Sequence, residues 1–394
     1  MSRKLASIVE ISKVSPIENA DRLEGVEMKG KGWKVVTQKG EFHVGDLAVY
    51  FEIDSFLDDS DARYAFLKDR CLKKFVSKSG NVIRQGIRIK TCKLRGVVSQ
   101  GLVMPISDFP EIAYCCQGGG IKGDGTDTIA LETDNGQFVL QPLLGADVTR
   151  LLKVEHYDEV KEQLQPITGS NPISADAIGR FPSDYCPKTD EERVQNLSDW
   201  FEKYKDMDWE ATAKDDGASL TMFYSPTIDA EIPFGVCTRN LRIKSELAKG
   251  GIPLGYQMAE KYDVEKKLKN LFESEGLEYA IQGELVGPGI NADRDKYQEH
   301  EWHVFKIYDI KNQMYLLPNN RREVCEKLGL QHVQLISPSI KVFTEYPTMD
   351  AVLMFAEGKT ARGNEREGIV FKSNTIHNLS FKAVSNRYLM KQED

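Results

Sequence analysis

The sequence has no apolar run approaching the ~20 residues that a membrane-spanning helix needs, so it is not expected to span a membrane with helices. Its start, Met1-Ser2-Arg3-Lys4-Leu5, runs directly into a charged, strand-like segment with no apolar core of a secretory leader. Cysteine is sparse: seven residues, an odd count, with no pair at C-x-x-C spacing. Cys115 and Cys116 are adjacent, while Cys71, Cys92, Cys186, Cys237 and Cys325 are scattered. Neither a zinc site nor a disulfide framework is expected, and the thiols read as reduced groups of an intracellular, cytoplasmic rather than secreted protein. Internal repeats and low-complexity tracts are missing as well. With hydrophobic residues at 41% and charged residues at 28%, disordered, collagenous and coiled-coil chains are excluded. An excess of positive charge is also lacking: 52 Lys plus Arg against 60 Asp plus Glu leaves a net charge of -8. The total therefore does not announce nucleic-acid binding, although local charge can override it.

What remains is an ordinary globular composition over 394 residues, enough for two or three domains at ~100–200 residues each. Residues 6–11, 33–37 and 47–52 are short β-type runs separated by Gly turns, and the pattern resumes at 86–94 and 101–105. Such spacing predicts a small barrel or sandwich over residues 1–154. Residues 115–136 are Gly-rich; Gly118 and Gly123 mimic the glycines of a phosphate-binding loop, but Asp124 stands where that loop needs Lys. A surface hairpin insertion is the expectation there. Residues 155–187 collect Pro, Gly, Ser and Asn, including Gly169-Ser170-Asn171-Pro172, and read as a linker. Residues 188–394 then mix strands and helices without a repeating strand–helix–strand unit, which predicts an α+β domain with a mostly antiparallel sheet. Thr189 and Glu192 have capping-box spacing ahead of Val194, Leu197, Phe201 and Tyr204, predicting a helix, and residues 258–272 predict another.

The second half carries charged groups in apolar strands. Lys214-Asp215-Asp216-Gly217 precedes the strand-like 219–224; alone it reads first as a charged turn closed by Gly217. Gln282-Gly283-Glu284-Leu285-Val286-Gly287 places a carboxylate inside an apolar run. Phe305-Lys306-Ile307-Tyr308-Asp309 places aromatics in another run, and Arg366-Glu367-Gly368-Ile369-Val370-Phe371-Lys372 sets Glu and Lys at the ends of a third. Ser380-Phe381-Lys382 follows. Buried charges must pair or bind something charged, so the pattern points to a polar cleft floored by a sheet.

In this order the segments resemble the covalent nucleotidyltransferase superfamily of nucleic acid ligases and mRNA capping enzymes. Lys214–Gly217 is similar to its nucleophile motif, Thr238-Arg239-Asn240 to the short segment after it, and 282–287, 305–309, 367–372 and 381–382 to its later motifs. DNA ligases and capping enzymes continue into a C-terminal OB domain, for which the three residues after Lys391 leave no room; the extra domain is expected N-terminally. That first half resembles the N-terminal OB module of an ATP-dependent RNA ligase group through Pro16-Ile17-Glu18-Asn19-Ala20-Asp21-Arg22, Val49-Tyr50-Phe51-Glu52-Ile53-Asp54-Ser55 and Arg88-Ile89-Lys90-Thr91-Cys92-Lys93-Leu94-Arg95-Gly96. The lead-in Lys188-Thr189-Asp190-Glu191-Glu192-Arg193 is similar too. One departure stands out: many relatives carry two Lys flanking one residue in the fifth motif, whereas Ser380 precedes Phe381-Lys382 here.

The resemblance implies an OB-type β-barrel followed by an antiparallel-sheet nucleotidyltransferase domain. It implies an ATP-dependent RNA ligase that joins a 3′-OH to a 5′-phosphate through lysyl-AMP and RNA-adenylate, in RNA repair or sealing, on single-strand ends or a nicked duplex. Lys214 is then the nucleophile, its amine pKa drawn down by partial burial and by nearby cations, with Lys372, Lys382 and a divalent metal the candidates, and Lys372 and Lys382 are the phosphate-holding cations. Asp216, Glu284 and Glu367 are expected to hold Mg²⁺ or Mn²⁺ through waters, with a ribose hydrogen bond the alternative for Glu284. Tyr308 and Phe305 have opposite strand parity, and Tyr308 is expected to stack on adenine. Arg193 and Gln195 are expected at the outgoing phosphates, and Arg239 with Asn240 at the ribose or the RNA end. No obligate protein partner is evident. Other polynucleotide ligation, guanylyl transfer, or RNA-end binding by a vestigial site are the rival functions.

Residues 70–95 contain nine basic side chains, among them Lys78, Arg84, Arg88, Lys90, Lys93 and Arg95. OB barrels bind nucleic acid along a basic, aromatic strand face, so Arg84, Arg88, Lys90, Lys93 and Arg95 are the expected RNA contacts.

Overall fold

A computed structural model describes residues 4–391 except 78, 134, 169–175 and 292. Lys78, and the 169–175 part of the expected linker, lie outside the described residues. The chain divides into two compact units with the boundary at 172/173. Among the described residues no helix is long and apolar enough to cross a membrane. All seven cysteines are free thiols.

The first unit is built on antiparallel strands. Its longest, Ala6–Pro16, pairs with Leu47–Phe51 through its first half and with Leu23–Met28 through its second. The partner changes at a register irregularity between Ile11 and Lys13, the kind of bulge that bends a strand around a barrel. Both faces of this strand's first half are buried. Ala6 and Ile8 join a core with Val49, Phe51, Ile87 and Phe109, whereas Val9 and Ile11 join a second core with Val26, Trp33 and Tyr50. Leu102–Pro105 and Lys34–Gln38 complete this five-stranded sheet at its edges.

A four-stranded sheet runs in the order Glu155–His156, Ser55–Leu57, Val82–Arg88, Leu72–Val76. Thr91–Leu94 and Val97–Gln100 form a hairpin whose two turn residues, Arg95 and Gly96, both have positive φ (49° and 84°). That is the two-residue turn whose twist matches antiparallel strands.

The Gly-rich insertion differs from the expected hairpin. The hairpin is Thr128–Glu132 with Phe138–Pro142. The glycines before it form a loop wrapped on the buried Asp127 carboxylate, which accepts from the backbone N–H groups of Lys122 (3.0 Å) and Gly123 (2.7 Å). Residues 155–187, read as a linker, contain a strand paired with Ser55–Leu57, the helix Tyr157–Thr168, and Ala177–Arg180 paired with Leu241–Ile243.

The second unit holds two sheets. The seven-stranded one runs Ala177–Arg180, Leu241–Ile243, Phe234–Thr238, Ala218–Tyr224, Tyr279–Val286, Glu301–Asp309, Met314–Tyr315. The five-stranded one runs Glu192–Arg193, Ser380–Val384, Gly368–Ser373, Trp209–Lys214, Leu335–Ile340. Among the described strands of these two sheets, pairing is antiparallel except between Glu192–Arg193 and Phe381–Lys382. Each sheet has its own core, one around Trp302, Ile281 and Leu268, the other around Trp209, Phe371 and Phe381.

Two expected helices change. The Thr189/Glu192 helix start is instead extended chain, because Glu192–Arg193 pairs with a strand some 190 residues away in sequence; the helix there is only Trp200–Lys203. The 258–272 helix is two, Leu254–Lys261 and Val264–Glu275, broken where Asp263 takes φ 52°. The second buries Val264, Leu268 and Leu271 at i, i+4, i+7 and stops at Gly276 in the left-handed region.

Candidate active site

Lys214 is the last residue of the strand Trp209–Lys214 in one sheet, and four residues later Ala218 opens a strand of the other. The nucleophile-like segment is therefore the crossover between the sheets. Gly217 is required by packing: a Cβ there would stand 2.7 Å from Glu284 Cγ and against the Leu285 carbonyl. The tight approach sets the Lys214 loop beside Glu284.

Between the sheets lies a cavity of about 700 Å³ lined by Lys214, Glu284, Phe305, Lys372, Lys382 and Arg239, among others. A volume near 700 Å³ lies in the range of small-molecule sites, ~300–1,000 Å³. Lys214 Nζ donates to Glu367 Oε1 at 2.7 Å. Burial alone would lower the Lys214 pKa, but the Glu367 and Glu284 carboxylates outweigh it and hold the amine above its ordinary value. This corrects the expectation of a cation-depressed lysine: the side chains nearest the amine are acids. Burial, reinforced by Glu367, Asp215 and Asp216 against the opposing pull of Lys214, pushes Glu284 up to about 8.

The cations stand further along the five-stranded sheet. Lys372 is buried, donates to Thr212 Oγ1 at 3.5 Å, and is pushed down to about 7 by burial first and the Arg321 guanidinium second. Lys382 pairs with Asp190 at 2.8 Å, and burial holds its pKa below the ordinary value despite that partner. Arg239 is exposed at the rim. Asn240 also lines the cavity and accepts from Lys188 Nζ at 2.9 Å.

Several expected residues stand elsewhere. Asp216 faces a small adjoining cleft with Tyr388 and Arg294, and accepts from Asn291 Nδ2 at 3.2 Å. Tyr308 is not among the cavity-lining residues; it packs edge-on against Tyr315 at 5.0 Å between centroids, while Phe305 lines the cavity. Phe305 and Tyr308 do not keep opposite faces, because the Glu301–Asp309 strand carries a bulge: Gly283 pairs with Val304 but Gln282 with Lys306, which leaves Phe305 extra. The burial alternation slips accordingly, from Trp302 and Val304 to Ile307 and Asp309. Gln195 is fully buried in a short 3₁₀ turn, away from the cavity lining. Arg193 does not line it either, but its strand runs beside Lys382.

Glu284 and Glu367 act on Lys214 directly, while Asp216 lies in the adjoining cleft that Glu367 also lines. Among the described residues no three His, Cys, Asp or Glu side chains converge closely enough to ligate a metal directly. Glu284, pushed up to about 8 by burial first, and the carboxylates near it nevertheless suit a divalent cation held through its own waters.

Sequence reasoning passed over four contributors. Asp190 and Glu191 line the cavity, and Glu191 pairs with Lys306 at 2.7 Å. They lie in the K-T-D-E-E-R lead-in, whose resemblance to the ligase group does not by itself give either residue a role. His303 bridges Asp215 (2.7 Å) and Glu301 (3.1 Å), whose pull outweighs burial and raises its pKa. Behind Lys372, the fully buried Glu210 pairs with Arg321 and Arg322. Glu210 is legible as a charge in an otherwise apolar strand.

In the first unit, Arg84 pairs with Glu155, and Arg88 pairs with Asp54 at 2.7 Å and lies over the Tyr157 ring at 4.1 Å. Lys90, Lys93 and Arg95 are exposed at and beside the 91–100 hairpin. The expected RNA face therefore splits into two ion-paired arginines and three exposed cations.

A family model described as RNA ligase matches residues 207–386, and an OB-fold domain model matches residues 5–106. No curated protein matches the chain in sequence. Among solved structures, the chain is similar to a Glu-to-Ala variant of the Naegleria gruberi RNA ligase with ATP and Mn, at 31% identity over 100% of both chains and a TM-score of 0.76. A Lys-to-Met variant of that ligase with AMP and Mn is 30% identical over 100% of both chains, TM-score 0.76. The same ligase with PPi is 31% identical over 100% of both chains, TM-score 0.75. The architecture is thus an OB-fold domain followed by an antiparallel-sheet ligase domain. The chain belongs to the RNA ligase family.

Proposed function

We propose that the chain seals RNA by covalent nucleotidyl transfer from ATP through Lys214, in three displacements at phosphorus. Lys214 Nζ attacks the α-phosphorus of ATP: an N–P bond forms, the bond to pyrophosphate breaks, and the amine loses its proton. An RNA 5′-phosphate oxygen then attacks the same phosphorus, the N–P bond breaks, and RNA-adenylate leaves the lysine. Finally a 3′-OH attacks the activated 5′-phosphate, the phosphodiester forms and AMP departs. Attack at phosphorus asks mainly for positioning and charge stabilisation.

The observation that carries this reading is the placement of Lys214 at one wall of the 700 Å³ cavity, with Lys372 and Lys382 on its floor. Lys372 is buried and pairs with no carboxylate among the described residues, so it is poised for an anion. Phe305 is the aromatic positioned to stack on adenine, in place of Tyr308. Arg239 stands at the rim, where a ribose or RNA end enters. The outgoing phosphates fall to Arg193, since Gln195 is enclosed. Glu284, Glu367 and Asp216 are the groups that would hold hydrated Mg²⁺ or Mn²⁺, which supplies positive charge against the phosphates. Lys90, Lys93 and Arg95 form the RNA-facing group of the OB domain, giving affinity through phosphates without reading sequence.

Incubation with α-labelled ATP and Mg²⁺ or Mn²⁺, followed by a denaturing gel, tests the reading. The expected result is label on the wild-type chain, none on Lys214→Ala, and none with GTP. No label on a chain whose intact mass shows no AMP already attached would overturn it.

A further inference from the structure

Where relatives carry a lysine one residue before the Phe381-Lys382 pair, this chain has Ser380. Ser380 opens the strand Ser380–Val384 and pairs directly with Lys372 on the neighbouring strand, so its side chain starts beside the buried Lys372 amine. That position has lost a cation beside Lys372, and both it and Lys306 lie just behind the cavity lining.

The facing sheet returns one. Lys306 Nζ lies 3.4 Å from Ser380 Oγ, 2.7 Å from Glu191 Oε1 and 4.6 Å from the Tyr315 ring centroid. Its side chain is 11% exposed, which is uncommon for a lysine outside a functional or tightly paired setting. The bulge after Val304 aims it there. In regular alternation Lys306 would follow Val304 into the core beneath the sheet; the extra residue turns it to the face that carries Phe305. Bulges beside active sites commonly re-aim a side chain in this way.

Glu191, the partner of Lys306, lines the cavity and feels Lys306, Lys372 and Lys382 together. Their combined attraction overcomes burial and holds its carboxyl below the ordinary range. The carboxylate thus occupies a place that three ammonium groups already prefer to fill with negative charge. A lysine stem has the reach and rotational freedom to exchange a carboxylate for a phosphate oxygen. An ion pair made for stability alone gives little reason for such a construction, since buried pairs are often replaceable by apolar groups.

We infer that Lys306 is the phosphate-binding cation that substitutes in space for the lysine missing at Ser380, gripping the nucleotide phosphates together with Lys372 and Lys382. The inference rests on the ATP-dependent reading above and specifies a residue for it.

Non-covalent ATP binding, measured by calorimetry with Mg²⁺ in a Lys214→Met background, separates this from a purely structural role. Lys306→Met is expected to weaken ATP binding about tenfold or more, the scale of one charge-assisted hydrogen bond. Adding Ser380→Lys is expected to restore most of that affinity, because it returns the cation from the other sheet. Adding Glu191→Gln is expected to restore none. Undiminished binding by Lys306→Met, failure of Ser380→Lys to restore it, or restoration by Glu191→Gln would each overturn the assignment. If Lys306→Met melts far below the parent, Lys306→Gln takes its place in the same three comparisons. A Lys214→Met parent that binds no ATP, together with no covalent label on the wild type, would instead strike the ATP reading itself, so the two failures remain distinct.

Discussion

Lys214 and Glu367 face each other across adjoining strands, Nζ 2.7 Å from Oε1, with Lys214 paired in register to Gly368, the residue after the glutamate. A nucleophilic amine must shed its proton, yet this site, without nucleotide, holds it on: Glu367 and Glu284 outweigh the effect of burial and raise the pKa. Single-turnover label transfer from ATP should therefore rise with pH through the neutral to alkaline range. Glu367→Gln removes the nearest anion, so the amine should titrate at lower pH and the profile should move in the acid direction by about one unit, the usual scale for an adjacent opposite charge. A profile that keeps its midpoint in Glu367→Gln would show that the carboxylate does not control the amine.

Lys372 makes the opposite case. Burial and Arg321 push its amine down to about 7, so near neutral pH the nucleotide-free protein holds it partly uncharged. A phosphate beside it favours the charged form, so ATP binding should draw a proton from solution. In the Lys214→Met background, binding enthalpies measured in buffers of different ionisation enthalpy should reveal this uptake, largest between about pH 7 and 9. Lys372→Met should abolish it. Equal enthalpies in all buffers would mean that Lys372 is already charged before ATP arrives.

The support beneath Lys372 should matter to stability. Glu210 is fully buried, Arg321 is 1% exposed, and Arg321 Nε also donates to His332 Nε2 at 3.0 Å. Burial and the Arg321 cation together press His332 down to about 4, so it stays neutral and accepts that bond. Arg321→Met strands the Glu210 charge, leaving only the peripheral Arg322. The expected loss is ~3–5 kcal/mol, the cost of breaking a buried pair from one side, read as a lower urea midpoint. The double change Glu210→Gln with Arg321→Met should recover a large part of it, and an additive double variant would argue against a shared network.

These residues also show what the sequence could carry. Lys214, Glu284, Glu367, Lys372 and Lys382 are legible because each is a charge set in or at the end of an apolar run, a local signal that needs no partner. The directions of Phe305 and Lys306 were not legible, because they depend on a bulge defined by pairing with Gln282 and Gly283. Strand parity read along one segment has no access to that. The Thr189–Glu192 capping pattern is real as a local preference, but pairing of Glu192–Arg193 with Phe381–Lys382 overrides it. The charge of residues 70–95 was visible, yet not that Asp54, in the turn before Ser55–Leu57, and Glu155, on another strand, occupy Arg88 and Arg84.

That division of the basic segment makes the last prediction specific. Lys93 and Arg95 are exposed on a hairpin stabilised by its own turn, so Lys93→Ala with Arg95→Ala should leave the fold and label transfer from ATP unchanged. RNA binding should weaken and lose salt dependence: the slope of log affinity against log salt should fall by about 0.7–0.9 for each phosphate contact removed. Arg88→Ala should behave differently. It breaks the pair with Asp54 and uncovers Tyr157, so its first effect should be a lower melting temperature with a nearly unchanged salt slope. Filter binding of a nicked duplex and of single-stranded RNA across a salt series checks both. If Arg88→Ala lowers the slope while the Lys93, Arg95 variant does not, the RNA lies on the sheet face and the hairpin is no part of its path.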